Sequence, residues 1–290
     1  MLEFSQTLVN GLVTGALYSL VAIGLTLIYG VLHLSNFAQG EFAMIGGVAA
    51  YLLVREGLPY PVAVIFAFFA AGLIGLVVHF LAFHPLRKGE HINMMLSSLG
   101  VSLFLVNLAQ YFFSPTPQVV ESALSGRTMQ LAGIYVSQQR LLIVGVSIVL
   151  CLLVYFLLEY TRFGRAVRAA SLDPETATLY GIPIYKISFL TFILGVALTG
   201  VAGALIGPLY YVYPTMGISL TLKAFVVVVL GGMGNVPGAI VGGLIVGVIE
   251  SFAGGYISSG FQDAIVFGVL FLVLVFRPQG ILTKVQGEKV

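Results

Sequence analysis

Charged residues are scarce in this sequence. Only 8% of its 290 residues are Asp, Glu, Lys or Arg, whereas 59% are hydrophobic and the mean hydropathy is +1.06. Soluble domains carry about 25% charged residues, so this composition excludes a soluble globular protein and predicts a chain that crosses a membrane several times. The net charge of +2 is too small to indicate a nucleic-acid partner.

Several chemical features are also missing. Cys151 is the single cysteine, so an intrachain disulfide is excluded. The N-terminal stretch MLEFSQTLVN lacks a basic region and a small-residue cleavage site, so we expect the first hydrophobic segment to be retained. No metal-binding spacing such as H-E-x-x-H occurs among the four histidines. No lysine follows a glycine, so the Gly-Lys pair of a Walker A loop is absent and any ATP is bound by another chain.

Long apolar runs are what the sequence has instead. A membrane-spanning helix needs about 20 mostly apolar residues, and suitable runs lie near 8–30, 37–54, 62–83, 92–113, 140–158, 184–206 and 262–276. The run 219–254 is long enough to cross twice, but Pro237 and the glycines of GGMGNVPGA interrupt it. The sequence predicts an all-α, polytopic membrane helical bundle with discontinuous helices and about 8 segments, within a range of roughly 7–9. We expect one membrane domain over residues 1–290.

The basic residues predict the orientation of this bundle. Nine of the thirteen follow the third span, surround the loop after the fifth, or end the chain: Arg87, Lys88, Arg162, Arg165, Arg168, Lys186, Arg277, Lys284 and Lys289. The positive-inside rule makes these regions cytoplasmic, with the N-terminus outside and the C-terminus inside. Since the chain must return to the cytoplasmic side, 219–254 crosses the membrane twice or not at all.

Two segments between spans differ in character. The external segment 114–139 has few charges and is too short to be a ligand-binding domain. In the cytoplasmic segment 159–183, Asp173 and Pro174 predict the N-cap and first residue of a helix, and Gly181 predicts its end. A helix over 174–180 is too short to be stable alone, so packing must support it.

Several stretches resemble one family of membrane proteins. These are NGLVTGALYSLVAIGLTLIYGVLHLSNFAQGEFAMIGG at 10–47, TRFGRAVRAASLDPETATLYGI at 161–182, LKAFVVVVLGGMGNVPGAIVGGLIVGVIE at 222–250 and FRPQGIL at 276–282. Together they resemble the LivH-like permeases of ATP-driven (ABC) importers for branched-chain amino acids. Glu175, Ala177 and Gly181 are similar to the E-x-A-x-x-x-G pattern with which such permeases contact their ATPases. The family most often has His where this chain has Gln39.

The resemblance implies a bacterial inner-membrane permease subunit with no catalytic role and no cofactor of its own. It implies a second, homologous permease subunit, two cytoplasmic ATPase subunits that bind ATP, and an external solute-binding protein. It also implies that the segment around 174–180 couples to the ATPase, through Arg165, Arg168, Asp173, Pro174, Glu175, Ala177 and Gly181. Related permeases for urea or other amino acids share the pattern. An ion-coupled secondary transporter remains an alternative, but it has no need for a capped docking helix.

Polar residues at the start of the second span raise a separate question. Asn36, Gln39 and Glu41 lie close together before an apolar run, with Gly40 between the last two. A carboxylate near the bilayer centre costs roughly 2.5–3.5 kcal/mol, so Glu41 must face protein or water. We expect Ser35 and Asn36 to cap a helix beginning near Phe37. The polar residues then either line the solute pathway or form a structural network.

The interrupted run 219–254 has a second set of candidates. Lys223 and Glu250 bracket the break, which contains Gly231, Gly232 and Asn235. A pairing of Lys223 with Glu41 or Glu250 is a hypothesis that the scarcity of other charges suggests. We also expect the breaks near 36–47 and 231–243 to be equivalent points of two internal repeats. Glycines four residues apart, such as Gly11 and Gly15, predict close helix packing within the chain or against the partner permease.

Overall fold

The structure is a computed structural model that describes residues 2–86, 89–113, 115–124, 126–131, 134–277 and 280–281. Arg87, Lys88, Lys284 and Lys289, used above to predict the orientation, lie outside the described residues. Helices dominate the described part of the chain: α1 Leu2–Leu32, α2 Gln39–Arg55, α3 Tyr60–Val78, α4 His91–Phe112, α5 Gln138–Tyr160, α6 Arg162–Leu172, α7 Pro174–Leu179, α8 Ile184–Ile206, α9 Met216–Gly231, α10 Val236–Tyr256 and α11 Gln262–Phe276. A π-helical turn, His79–Phe83, extends α3, and a 3₁₀ turn, Ser259–Phe261, precedes α11.

The apolar runs fold as helices with bounds close to those predicted. Seven helices within the described residues are long and apolar enough to cross a membrane, and α9 is a shorter apolar helix. The run 219–254 forms α9 and α10, which are joined by a turn at 232–235 and pack side by side. The predicted helical membrane bundle with a discontinuous element is therefore confirmed.

The order of the elements repeats along the chain. α1 is followed by the shorter α2, then α3 and α4, and α8 is followed by the shorter α9, then α10 and α11. The packing repeats too. The first helix of each half packs along the third helix of the other half, so α1 lies along α10 and α8 lies along α3. In addition, α1 contacts α8, and α2 contacts α9. This order makes the break at 33–38 equivalent to the one at 207–215. The expectation that 36–47 and 231–243 are equivalent is wrong, because 231–243 joins the second and third helices of its half.

Glycines allow the central helices to approach closely. A Cβ atom on Gly15 of α1 would lie 2.7 Å from the Cα of Leu244 in α10, and one on Gly203 of α8 would lie 1.8 Å from the carbonyl oxygen of Ala43 in α2. Contacts this close to backbone atoms leave no room for a side chain, so small residues set the helix spacing. The glycine spacing predicted this packing within the chain.

The segment between α4 and α5 contains strands that the all-α prediction missed. β1 (Thr128–Leu131) and β2 (Ile134–Ser137) form an antiparallel hairpin, in which Thr128 pairs with Ser137. The hairpin lies at the N-terminal end of α1, where the side chain of Gln6 hydrogen-bonds both the amide and the carbonyl of Tyr135. The opposite end of α1 packs on α6 and α8, with Val31 against Val167 and Ile187. The hairpin and α6 therefore mark opposite ends of the bundle.

Candidate functional site

The polar residues before the second span are fully buried. Asn36 and Gln39 have no exposed surface. The Asn36 amide donates to Gln39 Oε1 at 3.1 Å, and Gln39 Nε2 donates to Thr199 Oγ1 on α8 at 2.5 Å. α2 begins at Gln39 with no side-chain cap, so the expectation that Ser35 and Asn36 cap a helix from Phe37 is wrong. Asn36 Oδ1 accepts from the Ala38 amide and forms a local turn instead.

Glu41 is buried, and no described basic residue forms an ion pair with it. Its Oε1 accepts from the Ser102 hydroxyl on α4 at 3.0 Å, and its Oε2 has no hydrogen-bond partner among the described residues. Glu41 lies in the first turn of α2, where the helix dipole favours a negative charge. Its carboxylate packs against the backbone of Gly217 on α9, since a Cβ there would lie 2.3 Å from Oε2. The Lys223–Glu41 alternative is therefore wrong.

Gly40 makes the crossing of α2 and α9 possible. Its amide donates to Thr221 Oγ1 at 2.8 Å, and a Cβ atom on it would lie 1.9 Å from the carbonyl oxygen of Gly217. We call the following set the Glu41 cluster: Asn36, Gln39, Gly40, Glu41, Ser102, Thr199 and Thr221. Its hydrogen bonds connect α2 to α4, α8 and α9.

A second polar set contains paired charges. Lys223 Nζ lies 2.7 Å from Glu250 Oε1 and 3.1 Å from Asp263 Oδ1, and it donates to the Tyr18 hydroxyl at 3.2 Å. The side chains of Lys223 and Glu250 are each 11% exposed, whereas that of Asp263 is 61% exposed. We call Tyr18, Lys223, Glu250 and Asp263 the Lys223 cluster. It joins α1, α9, α10 and α11, and it contains the predicted Lys223–Glu250 pair.

Asp263 is a member that the sequence reasoning missed. A signal for it was present, because Lys223, Glu250 and Asp263 are the only charged residues between Lys186 and Arg277. In an apolar medium such isolated charges must find one another or water. Asp263 lies in the first turn of α11, and the pairing predicted above considered only Glu41 and Glu250.

The glycine-rich break lies apart from both clusters. Gly232 has a positive φ of 98°, and Asn235 Oδ1 accepts from the Gly238 amide at 3.2 Å, so it caps α10. A Cβ atom on Gly231 would lie 2.2 Å from the carbonyl oxygen of Gly238, so the two helices are closest at this turn. Gly234 and Asn235 share a cavity with Arg168 of α6. Gly231, Gly232 and Asn235 therefore lie at the α6 end of the bundle.

The short helix α7 is present over Pro174–Leu179 and is capped at both ends. Asp173 Oδ1 accepts from the amides of Glu175 and Thr176 at 3.0 and 3.1 Å. The Thr176 hydroxyl and its amide hold the pKa of Asp173 below its usual range. Gly181 ends the helix with a φ of 81°.

One face of α7 is packed and the other is open. Ala177 is buried, and α7 contacts α6 and α8. Leu179 and Tyr180 are 87% and 84% exposed. Arg165 and Glu175 are exposed, and Arg168 forms an ion pair of 2.9 Å with Glu159 on the surface. α7 is thus a supported helix that presents large apolar side chains outward.

Two cavities open at the hairpin end of the bundle. One of about 320 Å³ is lined by Asn10, Arg140 and Glu250 among others. The other, of about 260 Å³, is lined by Leu17, Ile206, Met216, Ser219 and Lys223 among others. Their linings share Thr14, Tyr210 and Glu250, so the two cavities adjoin, and we refer to them together as the cleft. Within the described residues, no group of three His, Cys, Asp or Glu could hold a metal ion.

Known proteins match this chain along nearly its whole length. The permease protein BraD of a high-affinity branched-chain amino acid transport system from Pseudomonas aeruginosa is 37% identical, over 99% of this chain and 98% of BraD. The corresponding LivH permease from Escherichia coli is 34% identical over 100% of this chain and 98% of LivH. A probable LivH from Methanocaldococcus jannaschii is 30% identical over 93% and 89%.

A solved structure shares the fold. PsaBC from Streptococcus pneumoniae, in complex with Fab, matches with a TM-score of 0.54 and 13% identity, over 92% of this chain and 90% of that chain. The family described as branched-chain amino acid transport system, permease component, matches residues 7–275. Its members are permease subunits, so this protein is a multi-pass inner-membrane transport subunit and not itself an enzyme. The chain belongs to the family of branched-chain amino acid transport permease components.

Proposed function

We propose that this chain is one permease subunit of an ATP-driven importer for branched-chain amino acids. It forms one membrane domain over 1–290 and half of the translocation pathway. A second, homologous permease supplies the other half, two cytoplasmic ATPases supply the force, and an external binding protein delivers the solute. The relatives are permeases of branched-chain amino acid transport systems, which supports the substrate class. Permeases for urea or other amino acids are the alternative within the same family.

The observation that carries this proposal is the construction of α7. A six-residue helix with a side-chain cap, a left-handed glycine end and a packed inner face is held firmly to α6 and α8. Leu179 and Tyr180 are nevertheless exposed, and large apolar side chains are typical anchors of protein interfaces. We infer that α7 inserts into an ATPase subunit at the cytoplasmic face. Movement of the ATPase would then reach α8 directly.

We assign different roles to the two polar clusters. Asn36, Gln39 and Glu41 are fully buried, so we infer that the Glu41 cluster is a structural network that fixes the contacts of α2 with α4, α8 and α9. The Lys223 cluster borders an open cleft at the opposite end from α7. We infer that this cleft belongs to the solute pathway. The turn at 231–235 lies near α6, and we infer that it transmits motion between α6 and α10.

Co-purification tests the proposal. The native complex should contain both ATPase subunits, and its ATPase activity should rise when a binding protein loaded with leucine, isoleucine or valine is added. Leu179→Asp with Tyr180→Asp should reduce the recovered ATPase, whereas Tyr135→Asp, at an exposed tyrosine on the hairpin, should not. Recovery of the permease without any ATPase subunit would contradict the proposal. If only a binding protein loaded with urea stimulates the ATPase activity, the chain is still an importer subunit, but its assigned substrate is wrong.

A further inference from the structure

The cleft at the hairpin end combines charges of both signs with an apolar wall. Arg140 and Glu250 line its larger part, and Leu17, Ile206 and Met216 line its smaller part. These apolar side chains are at most 6% exposed, so they are fixed in the core. Tyr210, which is about half exposed, borders both parts.

The Lys223 cluster carries an excess of negative charge. The lysine ammonium has three hydrogens, and Tyr18, Glu250 and Asp263 accept from them. One cation therefore faces two carboxylates. Glu250 is 8% exposed; the Tyr18 hydroxyl interacts with its carboxylate, and Oε2 accepts no close hydrogen bond among the described residues. A buried carboxylate oxygen without a donor is costly, and a cationic donor would satisfy it.

Arg140 supplies the opposite charge in the same cavity. Its guanidinium donates to Asn10 and, among the described residues, forms no ion pair. A guanidinium has five donor hydrogens and matches a carboxylate in two parallel hydrogen bonds. The hydrogen bond to Asn10 therefore leaves other guanidinium hydrogens of Arg140 available. Lys223 has none left, so Arg140 is the cation that can receive an anionic group.

We propose that this cleft binds a free α-amino acid as a zwitterion. Glu250 accepts from the α-ammonium group, Arg140 donates to the α-carboxylate, and the wall of Leu17, Ile206 and Met216 contacts an apolar side chain. The ring of Tyr210 adds a face that attracts the ammonium group. The inference rests on the proposed function, because it names a receiving site for the solute at the external end of the pathway.

Protection of an introduced cysteine tests the site. Ser219 is exposed and lines the cleft, so Ser219→Cys in a Cys151→Ser background gives one thiol there. The complex in sealed vesicles is treated from outside with a membrane-impermeant thiol reagent. L-leucine should slow the labelling. The amine 3-methylbutylamine and the acid 4-methylpentanoate each lack one charged group of leucine. Each should therefore give equal protection only at a concentration about tenfold higher than that of L-leucine.

Two substitutions and two controls complete the test. Glu250→Gln should weaken protection by leucine and by the amine, and Arg140→Gln should weaken protection by leucine and by the acid. Glu121→Gln and Arg127→Gln remove the same charges from exposed positions in the hairpin segment and should change nothing. Equal protection by all three compounds, no protection by leucine, or an introduced thiol that the reagent does not reach would overturn the proposal.

The outcomes separate this inference from the proposed function. Leucine uptake that needs ATP and the binding protein, without protection of the thiol, rejects the cleft site and leaves the importer in place. Protection by leucine in a complex that does not transport it rejects the assigned substrate and keeps the zwitterion site. The amount of complex recovered for each variant identifies any change that acts through folding.

Discussion

The Glu41 cluster and the Lys223 cluster both bury carboxylates among apolar helices, but their surroundings differ. Glu41 has one hydroxyl donor and a helix N-terminus near it, and helix backbones close around it. Glu250 has a lysine at 2.7 Å and borders a cleft. Among the described residues, Glu41 is compensated by a neutral hydroxyl and a helix N-terminus, whereas Glu250 has a cation within hydrogen-bond distance.

Loss of Lys223 should have the largest effect. Lys223→Met leaves Glu250 and Asp263 near each other without a cation, and breaking a buried pair in this way costs about 3–5 kcal/mol. We expect a correspondingly large fall in the free energy of unfolding, measured by thermal unfolding in detergent. Adding Glu250→Gln should recover part of the loss, because it removes the stranded charge. A double variant no more stable than Lys223→Met would contradict the pair.

Gly40→Ala tests the closed packing around Glu41. The new methyl group would collide with the carbonyl oxygen of Gly217, and backbone atoms cannot move aside as a side chain can. Overpacking of this kind costs about 1–3 kcal/mol. Among the described residues, nothing beyond its own helix backbone lies within 4 Å of a Cβ atom on Gly145 of α5, so Gly145→Ala is the matched control. It should be neutral or stabilising by about 0.5–1 kcal/mol, because alanine favours a helix. Equal stability of both variants would exclude a tight crossing.

Glu41 itself should tolerate removal of its charge. Glu41→Gln keeps the shape and an acceptor for Ser102, and no basic partner is lost, so we expect a change below about 1 kcal/mol. Glu41→Ala removes that acceptor and leaves a void, and we expect a loss of about 1–3 kcal/mol. Transport should follow stability for both variants. A Glu41→Gln protein that folds normally but does not transport would show that the charge acts in the pathway.

The helices were predictable from the sequence, but the side-chain contacts between distant helices were not. The bounds of α8 are those predicted, because hydropathy over about 20 residues depends on local sequence alone. The cap at Asp173 was also predictable, since its partners lie within three residues. Asp263 was missed because its contact with Lys223 joins distant parts of the chain. The hairpin was missed because its strands are four residues each and carry a weak pattern.

Asp173 extends the comparison to a carboxylate in water, where we expect the smallest effect. Like Glu41 it lies at a helix N-terminus and accepts from a hydroxyl, but it is fully exposed. Because hydrogen bonds lower its pKa in the folded state, its contribution is complete above the unfolded value of about 3.9 and is lost as the pH falls through the lower folded value. Recovery of the ATPase with Asp173→Ala should therefore be reduced at neutral pH, and Asp173→Ser should restore it, since serine also caps helices. Equal ATPase recovery with the alanine and serine variants would show that docking of α7 does not depend on its N-terminal cap.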